Sequence, residues 1–323
     1  TIVVTGTAGF IGSVVVQYLN EQGFNQLILV DDFGVETKRK NWEQKQYLKV
    51  IERQAFLEEL ATHNFSIDVI IHLGARTDTT EFDYSVHEAL NLSYSKSLWE
   101  YATLKQIPFI YASSAATYGN GEQGYNDSHE ILNQLEPLNP YGISKNEFDK
   151  WAIAQSFQPP CWAGLKFFNV YGPNESHKGR MASVIFHAFN QIKETGVVKL
   201  FKSHKQGFND GEQLRDFVYV KDVMKVIYWI MQEMLSGNWS NKKNGLYNLG
   251  TGKGTSVLEL VTTFEKVNNI KIPYIISDKS IYISHCLNGR CSDIIDSRDS
   301  VKCSPAGYKS EECGWYICQN CHS

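Results

Sequence analysis

Thr1-Ile-Val-Val-Thr5-Gly6-Thr-Ala-Gly9-Phe-Ile-Gly12 opens the chain and decides how the rest is read. A short β-branched apolar run ends in glycines, and Phe10 to Glu21 follows with helical periodicity, so the stretch predicts strand, tight turn and helix. In such a unit the first glycine permits the turn, the second lets backbone approach a pyrophosphate, and the third lets the helix pack on the strand. The glycine spacing alone also suits a purely structural loop. Downstream, Leu27-Ile-Leu-Val30 ends in Asp31-Asp32, roughly 20 residues past the glycines, where an acid would hold the ribose hydroxyls of an adenosine. Asp68-Val-Ile-Ile-His72 reads as the third buried strand, and Leu73-Gly74-Ala75-Arg76-Thr77 turns at its carboxyl end. A helical stretch from about Phe82 to Lys105 carries Asn91, and Pro108 to Ser113 reads as the fourth strand. This order predicts an α/β fold, a doubly wound parallel (Rossmann) sheet with helices on both faces and its ligand at the carboxyl edge.

With 323 residues and 42% hydrophobic content, the chain can bury one large core or a main domain plus a smaller one. Net charge is -4 with both signs interspersed, which offers no basic field for nucleic acid and no polybasic run for a membrane surface. No apolar run approaches the ~18 residues of a transmembrane span. The reading is a soluble, cytoplasmic protein. Lys38, Arg39 and Lys40 suit either a 2′-phosphate or a solvated loop, so NADP and NAD both stay open.

Ser113-Ser114-Ala-Ala-Thr117-Tyr118-Gly119 and Tyr141-Gly-Ile-Ser-Lys145 carry the chemistry. A Tyr and a Lys four apart share one helix face, and an ammonium beside a phenol favours phenolate, while a Ser hydroxyl opposite can hold a substrate oxygen. That group suits oxidation of an alcohol or reduction of a carbonyl. The spacing alone also describes a solvated helix face. Asn139-Pro140 marks the helix start. Beyond Ala163 to Phe168, another strand, the elements become short and interrupted. They predict a small α/β substrate domain of residues 171–215 plus about 246–274, beside a dinucleotide-binding domain of residues 1–170 plus about 216–245.

Taken together, the glycine loop, the Ser114, Tyr141 and Lys145 group, Asn169-Val170-Tyr-Gly-Pro173 and Arg215-Asp-Phe-Val-Tyr-Val220 resemble the extended short-chain dehydrogenases/reductases that act on nucleotide sugars. Gly74-Ala-Arg-Thr-Asp-Thr-Thr-Glu81 and His177-Lys178-Gly179-Arg180-Met181-Ala-Ser-Val-Ile-Phe-His187 are similar to the ADP-heptose epimerases among them, and the likeness runs from Thr1 to about Tyr274. The resemblance implies an isomerase that inverts position 6 of ADP-D-glycero-D-manno-heptose. It would oxidise that carbon transiently to a ketone with tightly bound NADP, supplying heptose for the lipopolysaccharide inner core. It also implies a homo-oligomer. Gly6, Gly9, Phe10, Ile11, Gly12, Asp31, Asp32, Lys38, Arg53, Leu73, Gly74, Ala75, Arg76, Thr77, Asn91 and Lys145 would line the cofactor. Asn169, Val170, Arg180, His187, Phe201, Lys202, Ser203, His204 and Arg215 would surround the ADP-heptose, with Arg215 meeting the diphosphate. Arg53 stands where the family often has Lys, and Arg180 where other members carry a small residue. Two faces of one ketone need two acid/base groups: Tyr141 would serve one, Lys178 from the second domain the other, and Ser114 would bond the oxygen.

Of seven cysteines, Cys161 stands alone before residue 285 and six crowd the last 38 residues. Cys286 with Cys291 and Cys318 with Cys321 have spacings that suit a thiolate zinc site. A foreign end replacing the family's usual one, or disulfides, remain alternatives to a metal-binding interaction tail. Two other functions fit the same residues: another nucleotide-sugar epimerase or dehydratase, and a non-catalytic NADP-binding protein with a zinc-binding interaction tail. A dehydratase would want carboxylates beside Ser114, where Ala115 and Ala116 stand.

Overall fold

The computed structural model describes residues 1–203, 207, 209–277, 300–302 and 316–318. His204, Cys286, Cys291 and Cys321 lie outside the described residues, and Cys318 is described only as backbone in a short strand. The chain divides into two compact units.

In chain order the elements are β1 (Ile2–Thr5), α1 (Phe10–Glu21), β2 (Leu27–Asp31), β3 (Lys49–Glu52), α2 (Arg53–Thr62), β4 (Val69–His72), α3 (Tyr84–His87), α4 (Tyr94–Lys105), β5 (Phe109–Ser114), α5 (Pro140–Ala154), β6 (Trp162–Phe167) and β7 (Asn169–Tyr171). Then come α6 (Val184–Thr195), β8 (Val198–Phe201), β9 (Leu214–Arg215), β10 (Phe217–Tyr219), α7 (Val220–Leu235), β11 (Gly245–Leu249), β12 (Thr255–Ser256), α8 (Val257–Asn268), β13 (Tyr274–Ser277), β14 (Ser300–Lys302) and β15 (Tyr316–Cys318).

The first unit, residues 1–78, 84–187 and 216–254, holds a seven-stranded sheet in the order β11-β6-β5-β4-β1-β2-β3. Every pairing in it is parallel. Strand order reverses at β1, whose Ile2 lies in register with Leu27 of β2 on one side and Val69 of β4 on the other. That reversal is the switch point at which doubly wound sheets open a crevice for ligand. Because successive strand residues face opposite sides, each strand feeds two cores. Val4, Leu29 and Ile71 pack with Val15 and Leu19 of α1 and Ile227 and Met231 of α7. Val3, Ile28 and Ile70 pack with Phe56 of α2, Trp99 of α4 and Phe148 of α5. All six strand residues are fully buried, which explains their unbroken apolar character.

Two local readings change. The strand expected as third in the chain is fourth, because the edge strand β3 precedes it. Only Ile51 of β3 is buried, so it lacks the apolar run of an inner strand. The long helix around Asn91 is broken by a π-helical turn, Glu88–Ser93, between α3 and α4. Such turns recur where a helix must aim a side chain.

The second unit comprises the described residues among 79–83, 188–215 and those from 255 onwards. Within it β8 pairs in parallel with β13, β9 pairs antiparallel with β12, and Val198, Leu200, Val261 and Ile272 form a small core. Helix α8 starts on a reciprocal cap in which Ser256 and Glu259 satisfy each other's backbone N–H groups. The division differs from the one expected. Residues 171–187 belong to the first unit, and β11 is the outermost strand of the main sheet because it pairs with β6 over its full length. Among the described residues no helix is long and apolar enough to cross a membrane.

Candidate active site

The glycine loop is held by close approach. Gly6 has φ +75°, and a Cβ there would sit 2.7 Å from the Gly74 nitrogen. A Cβ on Gly12 would fall 2.0 Å from the Gly6 carbonyl oxygen, so the helix can lie on the turn only without a side chain. Gly9 caps α1 with no side-chain partner, leaving a bare helix N-terminus suited to an anion. Asp31 closes the loop: its carboxylate accepts from the Ala8 N–H at 2.9 Å and the Asp32 N–H at 2.7 Å. Lys38 Nζ lies 3.4 Å from Asp31, and Arg53 lies 4.0 Å from Asp32, whose side chain is more exposed. An uncapped helix end, two carboxylates and two cations at the switch point form the donor and acceptor set of a nicotinamide dinucleotide site.

The far wall of the loop is fixed from β4 and the π-helical turn. Asn91 accepts from the Arg76 N–H at 2.7 Å and donates to the Arg76 carbonyl at 3.0 Å and to Ser144 Oγ at 3.0 Å. It is fully buried, so its carboxamide shapes the Leu73 to Thr77 turn and joins it to α5 instead of facing the cleft. His72 extends this support. Ser95 Oγ donates to the Asn91 carbonyl at 2.6 Å, so the 2.9 Å contact of His72 Nε2 with Ser95 Oγ has Nε2 as donor. His72 Nδ1 then accepts from Thr5 Oγ1 at 2.7 Å, and Thr5 Oγ1 accepts the Gly74 N–H at 2.9 Å. Burial pushes the His72 pKa down to about 3, which keeps the ring neutral.

Ser114 ends β5, and Tyr141 and Lys145 lie one turn apart on α5, whose cap Asn139 accepts from the Gly142 N–H at 2.8 Å. The Ser114 hydroxyl lies near enough to the Tyr141 phenol to act in lowering its pKa. Lys145 is 4% exposed, its Nζ donates to the Ala112 carbonyl at 2.8 Å, and burial lowers its pKa to about 8 against the opposing pull of Asp149. The phenol departs from expectation. Burial raises the Tyr141 pKa, with only the Ser114 hydroxyl acting to lower it. The physical reason is that desolvation penalises phenolate, and the charge of Asp149 acts in the same direction. Beneath the group lies a charged pair that sequence reading missed. Asp149 and Lys166 are both fully buried and 2.8 Å apart. Asp149 also accepts from Tyr111 at 3.0 Å and Ser113 at 2.6 Å, while Lys166 donates to Thr117 Oγ1 at 2.8 Å. Ser114 is therefore held through its neighbour Ser113 and through Thr117, whose Oγ1 donates to the Ser114 carbonyl at 2.8 Å.

Lys178 lies in a tight turn, Ser176–Met181, and belongs to the first unit, not the second. Its Nζ stands 5.6 Å from the Phe10 ring centroid, beside the N-terminus of α1. Burial lowers its pKa, opposed by Glu175. The Glu175 carboxylate, 3% exposed, accepts from Gly172 N–H at 3.1 Å, Ser183 N–H at 2.6 Å and Ser183 Oγ at 2.9 Å, closing the loop at its base. Asn41, unremarked in the sequence, donates to the Ala8 carbonyl at 3.0 Å and the Asn174 carbonyl at 3.3 Å, and contacts His177 Nδ1 at 3.2 Å.

The remaining candidates divide between the units. Asn169 and Val170 lie on β7, which pairs with β10, and Arg180 pairs with Asp78 at 3.3 Å, all in the first unit with His187. Phe201, Lys202, Ser203 and Arg215 are in the second, where the exposed Arg215 donates to the Leu214 carbonyl at 2.7 Å. Among the described residues no cluster of His, Cys, Asp or Glu could hold a metal ion.

Comparison with known proteins agrees with this geometry. The chain is 51% identical to the ADP-L-glycero-D-manno-heptose-6-epimerase of Fusobacterium nucleatum subsp. nucleatum over 80% of this chain and 77% of that protein. It is 43% identical to the protein of the same name from Nitratidesulfovibrio vulgaris, over 80% of this chain and 79% of the relative. The solved structure of Helicobacter pylori ADP-L-glycero-D-manno-heptose-6-epimerase superposes with a TM-score of 0.70 at 29% identity, covering 85% of each chain. The sequence profile of the NAD dependent epimerase/dehydratase family matches residues 2–250, and with the switch-point glycine loop and the Ser114, Tyr141 and Lys145 group in place, the chain belongs to that family.

Proposed function

We propose that this protein inverts position 6 of ADP-D-glycero-D-manno-heptose, giving the L-glycero epimer, with NADP as its cofactor. The observation that carries the reading is the 51% identity, over 80% of the chain, to a protein of that name. The geometry adds a reason. Inversion at one carbon requires hydride to leave one face and return to the other face of the ketone, so the oxygen lies on different sides in the two half-reactions and exchanges its proton with two different acid/base groups. Tyr141, near Ser114 and kept protonated by burial, is suited to donate from its phenol oxygen. Lys178, with its pKa lowered by burial, is suited to accept at Nζ. Ser114 bonds the substrate oxygen, and Lys145 supplies positive charge at the base of the site. When bound, the nicotinamide supplies reversible hydride transfer. Lys38 and Arg53, beside Asp31 and Asp32, offset the carboxylates and favour a cofactor that carries a 2′-phosphate. Ala115 and Ala116 leave no carboxylate beside Ser114 for a dehydratase.

The test is turnover of ADP-D-glycero-D-manno-heptose with NADP, followed at position 6 by proton NMR, beside Tyr141→Phe and Lys178→Ala. Conversion to the L-glycero epimer, lost or reduced at least ~100-fold in each variant, is the expected result. No conversion by the NADP-loaded parent refutes the reading. NADP and NAD dissociation constants for the parent and for Lys38→Ala decide the cofactor: an NADP preference that falls in the variant is expected, and equal affinity for both refutes it.

A further inference from the structure

Asn41 ends the turn Glu36–Asn41 and is 1% exposed. Its two amide hydrogens go to the carbonyl of Ala8 in the glycine loop and to the carbonyl of Asn174 in the loop that carries Lys178. His177, next to Lys178, touches the same nitrogen. Its own oxygen is buried with no hydrogen-bond partner among the described residues. Both donors thus serve main-chain carbonyls of two different loops, which buried carbonyls require. Two further ties run parallel. Asn174, held at φ +74°, donates to Ser13 Oγ of α1 at 3.1 Å, and Lys178 lies over Phe10 at the start of the same helix.

We propose that Asn41 is a positioning residue that latches the Lys178 loop to the glycine loop, so that the seat of the cofactor sets the place of the second acid/base group. The proposal rests on the reading of Lys178 given above. Glu175 fixes the loop's base, but its partners Gly172 and Ser183 both lie within that loop. Asn41 bonds instead to the dinucleotide-binding turn, through donors that an acid or an alkyl side chain cannot supply.

The experiment compares Asn41→Ala and the milder Asn41→Ser, which keeps one donor, with the parent, in the parent and Lys178→Ala backgrounds. Measured are single-turnover rate with excess enzyme, NADP dissociation constant, and hydrogen exchange of residues 175–181 in the NADP-loaded protein. We expect a rate loss of ~10–100-fold in the parent background, as for a catalytic group displaced by about 1 Å. NADP affinity stays within ~3-fold, exchange in 175–181 quickens, and the further loss in the Lys178→Ala background shrinks below ~3-fold. A loss that is undiminished in that background, a fall in NADP affinity that parallels the rate, or unchanged exchange overturns the latch. Full turnover by Lys178→Ala sinks the reading of Lys178 as acid/base instead, and the exchange measurement still judges the latch.

Discussion

Replacing Asp149 with Asn keeps the shape of a fully buried side chain and removes its charge, leaving the Lys166 ammonium at 0% exposure with Thr117 Oγ1 as its remaining bonded partner. Tyr111 and Ser113 bond different carboxylate oxygens, so the amide oxygen keeps one of these donors while the other loses its acceptor, and the ion pair is lost besides. Breaking one side of a buried pair costs roughly 3–5 kcal/mol, because the orphaned charge has neither water nor counterion. At 2–4 °C per kcal/mol for a unit of this size, that lowers the melting point by roughly 6–20 °C. Lys166→Met should cost a similar amount. The double variant Asp149→Asn/Lys166→Met should lie at least ~2 kcal/mol closer to the parent than the sum of the single changes, since no unpaired charge remains. Urea unfolding followed by tryptophan fluorescence is suited to this, because Trp99 and Trp162 share a core with Tyr111 and are each 1% exposed. Single variants within about 1 kcal/mol of the parent, or a double variant that is simply additive, would refute the argument that this pair is desolvated and mutually compensating.

Three further outcomes follow from the same geometry. Gly12→Ala places a methyl group 2.0 Å from the Gly6 carbonyl, so NADP affinity measured by fluorescence titration should drop at least ~100-fold, and near-parental affinity would contradict the helix-on-turn packing. His72 is held neutral with a pKa of about 3 against 6.5 in the unfolded chain. The unfolded state therefore binds the extra proton, and stability is lost as pH falls from about 6.5 towards 3, by roughly 1.4 kcal/mol per pH unit from this residue. His72→Gln should flatten that slope in unfolding measured from pH 7 to 4, and parallel curves would exclude the buried neutral ring. Competitive acetylation of Lys145 in the cofactor-free protein should show half-maximal reactivity near pH 8, not near the ordinary 10.5. A midpoint above about 10 would mean that the ammonium is solvated.

By itself the sequence determined the sheet and its ligand edge. Unbroken apolar runs such as Leu27 to Val30 and Val69 to Ile71 admit little besides inner parallel strands, and glycine answers to a positive φ at 6 and to backbone approach within a few residues at 12. Ser114, Tyr141 and Lys145 were legible for the same local reason: a strand end and one helix turn fix their spacing. The edge strand β3 was not, since a single buried residue leaves no periodicity to read. Tertiary structure alone decided the rest. Asp149 repeats the spacing of Tyr141 and Lys145 along α5, but its meaning depends on Lys166, which only the adjacent strands β5 and β6 bring beneath the same helix. Asn41 meets Asn174 across 133 residues, and Lys178 belongs to the first unit, where Asn41 and Phe10 meet its loop. The direction of the Tyr141 shift likewise depended on burial and on the charge of Asp149. Short-range spacing fixes which groups are on offer. Desolvation and long-range hydrogen bonds fix the protonation and position in which they work.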